Sequence, residues 1–433
     1  MLSLASWIPL IVHACILGIV FYAVNRVVPD AYMDEIFHVP QAQRYCNGDY
    51  YTWDPKLTTP PGFASIFTFH ILFHSISPND LFTIYDNALL PTSTPSPLSP
   101  SIRISIFIAD DNGIDSFFVL AGYYLERVGK YGPSAMCLAI SILFRQTNVI
   151  WACFVAGDIV SSILSPVIFS SPSSERDSPA SSQEYSFIER WIKVAEKIVS
   201  GIQSNLKILV RRMIPYFVVV LLVGVFFVWN GSIALGDKAN HVAILHIPQI
   251  YYFIAFTAVL SLPLTMIHPS DLYNLRKCLI TPIAYVTMLL MTISVHKYTY
   301  EHPFLSSDNR HYSFYVWKKV YKRHPSVKYL LIPAYFTALQ IILRPLTACR
   351  SSLWVLTFAA AVCLTLVPSP LFEFRYFIIP YIIYRLNIRP PSTTRLLLEF
   401  MTYSFVNAVT LYLFIYKPFK WESEPNQLQR FLW

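Results

Sequence analysis

IPYFVVVLLVGVFFVW, residues 214–229, carries no charged side chain from end to end. An α-helix climbs about 1.5 Å per residue and a bilayer core is about 30 Å thick, so this run with its flanks can cross a membrane. Comparable runs recur at 7–24, 247–267, 281–295, 353–367 and 405–416. With the weaker runs included, roughly ten to twelve spans are expected. Composition agrees. The 433 residues are 55% hydrophobic and 13% charged, where soluble domains average about 25% charged. The expected fold class is an all-α polytopic membrane protein, one domain over 1–433.

The first run lacks a basic leader and ends in NRVV, so it reads as an uncleaved anchor. The seven cysteines are scattered, which suggests neither a disulfide framework nor a metal site. A net charge of +8 suits anionic lipid or a phosphorylated ligand and separates neither. There is no GxxxxGK, GxGxxG, DxD or HExxH, so a nucleotide-cradling loop and a metal-held nucleotide sugar are both disfavoured. An activated sugar, if one is handled, fits better on a lipid carrier; no nucleic acid is expected.

Basic residues should gather on the cytoplasmic side. Segment 186–214 repeats its apolar positions at helical spacing and is rich in Lys and Arg, so 170–213 reads as a cytoplasmic loop with a basic amphipathic helix lying on the membrane face. Arg276, Lys277, Arg344, Arg350, Arg385, Arg389 and Arg395 fall on that side. The first loop (29–62), the loop 296–327 and residues 370–376 fall on the other, together with Lys318, Lys319, Lys322 and Arg323. Residues 78–115 fit neither pattern: PTSTPSPLSPS (91–101) is a Ser/Pro tract and ADDNGID (109–115) reads as acidic and flexible.

The candidate chemistry lies just beyond the first span, in AYMDEIFHVPQAQRYCNGDYYTWDP (31–55). Asp34, His38, Gln41 and Tyr45 share one helical face, with Glu35 about 100° around, on a short helix expected to end near Pro40. A carboxylate there can act as a general base toward a hydroxyl; a solvated acidic turn is the plainer reading. Residues 296–324 gather four histidines with Asp308 and Arg310. They can hold phosphate, or form an interfacial belt of aromatics and cations. Glu373 and Arg375 read as an ion pair at a span end. Arg145 sits in an apolar run, where a charge is costly enough to point to function.

Seven stretches carry a family resemblance: YMDEIFHVPQAQRYC (32–46), WDPKLTTPPG (53–62), FRQTNVIWA (144–152), GDKANHVAILHIPQIYYF (236–253), SSDNRHYSFYVWKKV (306–320), EFRYFIIPYIIYRLNI (373–388) and LQRFLW (428–433). In this order they resemble the endoplasmic-reticulum dolichyl-phosphate-glucose α-1,2-glucosyltransferases, membrane enzymes of the GT-C type. The resemblance implies a multi-pass endoplasmic-reticulum protein with its site facing the lumen. It implies inverting transfer of glucose from dolichyl phosphate glucose to the diglucosylated oligosaccharide on dolichyl diphosphate, with no cofactor or metal. By the same resemblance Asp34 or Glu35 is the base. His38, Gln41, Trp53, Asp54, Arg145, Asp308, Arg310, His311 and Arg375 are then substrate-binding candidates. Family members continue from WDP–TTPPG through further spans before FRQTN; this chain carries the 78–115 tract there and resumes the resemblance at FFVLAGYYL (117–125). Two other readings stay open: a transporter of lipid-linked sugars, resting mainly on Arg145, and a catalytically impaired copy acting as a membrane regulator.

Overall fold

The computed structural model describes residues 15–57 apart from 17, 21, 30, 31, 34 and 55, and residues 111–169, 187–231, 243–265, 269–389 and 391–432. In chain order its main helices are α1 (Glu35–Cys46), α2 (Asp111–Arg127), α3 (Tyr131–Phe144), α4 (Val149–Phe169), α5 (Phe187–Asn230) and α6 (Pro248–Thr265). There follow α7 (Pro269–Leu279), α8 (Pro282–Tyr298), α9 (Ile332–Thr347), α10 (Ser352–Leu366), α11 (Ile378–Leu386) and α12 (Thr393–Tyr416). A hairpin closes the described chain, β1 (Phe419–Trp421) against β2 (Glu424–Gln429). Among the described residues five helical stretches are long and apolar enough to cross a membrane: Gln146–Ile168, Ala195–Asn230, Pro248–Thr265, Val327–Thr347 and Thr393–Tyr416. The chain is an all-α polytopic membrane protein. The Ser/Pro tract, the 170–186 linker and most of the first span lie outside the described residues, and the expected total of ten to twelve spans lies partly outside them too.

Helix α6 is the axis of the bundle, with 56% of its apolar window buried, whereas α5 and α12 bury only 11% and 6%. In a membrane such exposed apolar faces are covered by lipid, and each helix satisfies its own backbone. Trp151 and Phe154 of α4 interlock with Trp354 and Phe358 of α10. The two helices touch backbone to side chain: a Cβ on Gly157 would stand 2.5 Å from Thr357 Cγ2. Ser351 starts α10 by accepting from Trp354 N at 3.3 Å, and its hydroxyl takes a 2.7 Å bond from Ser165 of α4. Tyr251 of α6 meets Ser294 of α8 at 2.6 Å between hydroxyls.

Three expectations change, and one element is new. The basic amphipathic segment is helical but is no separate surface helix: α5 runs unbroken through Pro215 into the span. Its inner residues pack along α4, where Gly201 faces Leu164 and Val167. Helix α1 continues past Pro40 to Cys46, because the bond that Pro40 forfeits is to the carbonyl of exposed Ile36, where water can replace it. Asp111–Asp115 form the first turn of α2, and Asp115 is fully buried, so this part of 109–115 is ordered helix. The short β-hairpin answers to no strand expected from the sequence.

Candidate active site

Helix α1 presents His38, Gln41 and Tyr45 to the interior, the face expected from their spacing. Gln41 uses both ends of its amide: Nε2 donates to Thr52 O at 2.9 Å and Oε1 accepts from Asp54 N at 3.0 Å. It therefore clips the loop 52–54 onto α1. Asp54 Oδ1 accepts from Lys56 N at 2.9 Å, and Trp53 Nε1 donates to Leu57 O at 3.1 Å. The hydrogen bonds of Trp53 and Asp54 among the described residues stay within 41–57. Asp34 and the side chain of Glu35 lie outside the described residues.

Arg145 is not inside a continuous apolar helix, as its sequence context suggested. It ends α3 in an extended conformation (φ −146°, ψ 115°), and a short 3₁₀ turn, Gln146–Asn148, leads into α4. The apolar run is two helices meeting end to end, with the arginine at their joint. Asn148 Nδ2 donates to Ser141 O at 3.0 Å and to Asp115 Oδ2 at 3.2 Å, tying the joint to the start of α2. The guanidinium of Arg145 lies over the Tyr376 ring, 5.1 Å from its centroid.

Tyr376 belongs to the turn Phe374–Phe377, where Arg375 Nε donates to Oε2 of the buried Glu373 in an ion pair. Burial alone would raise the Glu373 carboxyl. The charge and hydrogen bond of Arg375 and the charges of His311 and Arg145 outweigh it and hold the carboxyl below its ordinary range. His311, whose charge reaches Glu373, lies on the loop after α8. In that loop both oxygens of Asp308 grip one edge of Arg310: Oδ2 accepts from Nη2 at 2.7 Å and Oδ1 from Nε at 2.9 Å. His311 Nε2 stands 3.8 Å from Asp308 Oδ2. Desolvation pulls the Asp308 carboxyl upward, but the bonds and charge of Arg310, then the charge of His311, hold it low. A fork so held is an aimed cation.

Arg145, Arg375, His311 and Arg310 thus come together with Glu373 and Asp308 from three separate parts of the chain, while Trp53 and Asp54 form their own loop. Such a cluster can meet an anion with fixed donors. Among the described residues, no three His, Cys, Asp or Glu side chains could together hold a metal ion. Sequence reasoning singled out neither Asp115 and Asn148 at the joint nor Tyr32, Trp421, Gln429 and Arg430 around Arg310. Their signal was available, since Tyr32, Asn148, Gln429 and Arg430 all lie in the stretches that carry the resemblance. Arg145 was the one residue on which the transporter reading rested, and at a helix joint within this cluster it no longer lends that reading support.

A model of the DIE2/ALG10 family matches residues 28–86 and 111–386. The match skips 87–110, within the 78–115 tract that departs from the resemblance, and resumes where α2 begins. A Rattus norvegicus protein named Dol-P-Glc:Glc(2)Man(9)GlcNAc(2)-PP-Dol alpha-1,2-glucosyltransferase is 34% identical over 462 aligned residues, covering 96% of each chain. Relatives of that name from Homo sapiens and Arabidopsis thaliana are 33% and 32% identical, the first over 96% of both chains, the second over 95% of this chain and 96% of its own. No solved structure matches the chain.

Proposed function

The chain belongs to the DIE2/ALG10 family, and on that premise we propose that it moves glucose from dolichyl phosphate glucose onto the diglucosylated lipid-linked oligosaccharide, in α-1,2 linkage, at the luminal face of the endoplasmic-reticulum membrane. The observation that supports this best is the convergence of Arg145, Arg310, His311 and Arg375, which suits a phosphate that gains charge as it leaves.

The donor is β-linked and the product α-linked, so the displacement is in line. The acceptor 2-hydroxyl oxygen bonds to glucose C1 as the C1–O bond to phosphate breaks. The electron pair leaves with dolichyl phosphate, and the hydroxyl proton passes to a carboxylate. Asp34 is the first choice of base and Glu35 the second. Arg310, aimed by Asp308, takes up charge on the leaving phosphate with His311 or Arg375 in support, and Arg145 adds to the field. His38 and Gln41 orient the first loop, and Trp53 and Asp54 line the acceptor groove. No cofactor takes part.

The test is expression in cells that lack the terminal α-1,2-glucosyltransferase, followed by profiling of their lipid-linked oligosaccharides. The unmodified chain should convert the diglucosylated species to the triglucosylated one. Asp34→Asn should abolish conversion with expression intact, and Glu35→Gln should leave more of it. Failure of the unmodified chain to convert any would refute the proposal.

A further inference from the structure

Asp308 is not the only group that holds Arg310. The indole of Trp421, at the end of β1, lies 4.8 Å from ring centroid to Arg310 Cζ, and its Nε1 donates to Asn309 Oδ1 at 2.6 Å. Leu432 N donates to Arg310 O at 2.8 Å, and Leu432 O accepts from Tyr312 N at 3.1 Å. These bonds lay the chain beyond β2 along 310–312 as a parallel bridge. The hairpin is itself anchored. Arg430 donates through Nη1 to Phe414 O and Ile415 O, at 2.7 and 3.2 Å, on the last turn of α12. Its backbone N donates to Tyr32 Oη at 2.8 Å.

The grip of Asp308 uses one edge of the guanidinium, through Nε and Nη2, and the bond from Nη1 to Gln429 Oε1 is long, at 3.5 Å, so these contacts leave the plane some freedom to tilt. A flat aromatic face beneath the plane removes this freedom, and an arginine that is already aimed loses less entropy when it meets an anion. The hairpin contributes nothing to the buried apolar core, which ends at Ile388. Its contacts are instead spent on 309–312, on the end of α12 and on Tyr32, two residues before Asp34 in the sequence.

Resting on the reading of Arg310 above, we infer that Trp421 is a positioning residue for glucosyl transfer, fixing the Arg310 guanidinium where charge develops on the leaving phosphate. The hairpin holds the first loop in the same frame through Tyr32.

The experiment measures kcat and KM of the purified full chain with dolichyl phosphate glucose and the diglucosylated acceptor. Trp421→Leu keeps apolar bulk without a π face and should lower kcat about tenfold, the scale of one partly desolvated cation–π contact, with acceptor KM unchanged. Trp421→Phe keeps a face and should retain most of kcat. Asn309→Ala, which leaves the ring in place, covers the case of a Trp421→Leu chain that fails to accumulate, and should shift kcat the same way by a smaller factor. In an Arg310→Ala chain, Trp421→Leu should add no further loss. Equal kcat for the Trp421→Leu and unmodified chains, or losses that multiply in the double variant, would overturn the inference while an impaired Arg310→Ala chain left the function standing. An Arg310→Ala chain as active as the unmodified one would instead remove the reading on which it rests.

Discussion

Glu373 shows why single residues in this cluster act as balances. It is 5% exposed and ion-paired, with the charges of His311 and Arg145 also reaching it. Removing one partner of a fully buried pair typically costs about 3–5 kcal/mol, but the Arg375 side chain left behind is 33% exposed and can be hydrated, so the cost here is smaller. Glu373→Gln should therefore lower the thermal midpoint of the detergent-solubilised protein modestly, and an unchanged midpoint would show that the pair is open to water. His246 predicts a pH effect. It is fully buried just ahead of α6 beside Tyr252 and Tyr300. Burial lowers its pKa from 6.5 to about 4, against a lesser upward pull from the Pro370 carbonyl. As pH falls the unfolded chain takes the proton first, so this site is neutral to stability above 6.5 and costs the fold progressively down to about 4. Integrated, that is about 3 kcal/mol. Between pH 7 and pH 5 the midpoint should drop further for the unmodified chain than for His246→Phe; equal drops would assign the loss to other groups. At this scale the sequence made the inward face of α1 legible, since His38, Gln41 and Tyr45 keep helical spacing. The stacking of Trp421 on Arg310 was not, because these two residues lie far apart in the sequence and meet only through tertiary folding.

At the scale of elements, hydrophobic runs revealed which segments are helices but not where one stops and the next begins. FRQTN breaks a run that reads as continuous, and the basic segment 186–214 continues into a span that reads as separate. Both errors share a cause: a helix end is set by local bonds, such as those of Asn148, rather than by average polarity. Close helix contacts are equally invisible to averages. Gly157→Val should push α4 away from α10 at Thr357 and cost about 1–3 kcal/mol, as overpacking does. Gly224→Ala on exposed α5, where a Cβ meets nothing within 4 Å, should be neutral or slightly stabilising. A comparison of thermal midpoints separates them, and equal behaviour would contradict the tight α4–α10 contact. Gln41→Ala belongs here too, since it frees the loop 52–54 from α1. It should lower activity more than it lowers the midpoint, and the reverse order would make the clip a feature of stability alone.

On the scale of the whole molecule, polar and charged contacts gather in two groups at helix ends. The site group joins Tyr32, Arg145, His246, Arg310 and Glu373 through contacts with one another or with neighbouring loops. In the other group Arg344 Nη2 reaches Cys278 Sγ at 2.9 Å, Arg395 Nη1 donates to Leu264 O at 2.9 Å, and Arg385 pairs with Glu399 at 2.6 Å. The family stretches scattered along the sequence are largely the ones that meet in the site group, which is why order and wording of motifs pointed to a function that composition alone could not. The most direct measurement gives the purified chain the diglucosylated acceptor with either dolichyl phosphate glucose or uridine diphosphate glucose, in the presence of a chelator. The account predicts an added α-1,2-linked glucose from the lipid donor alone, undiminished by the chelator. Transfer from the nucleotide sugar, or no transfer from the lipid donor by a well-folded chain, would contradict it.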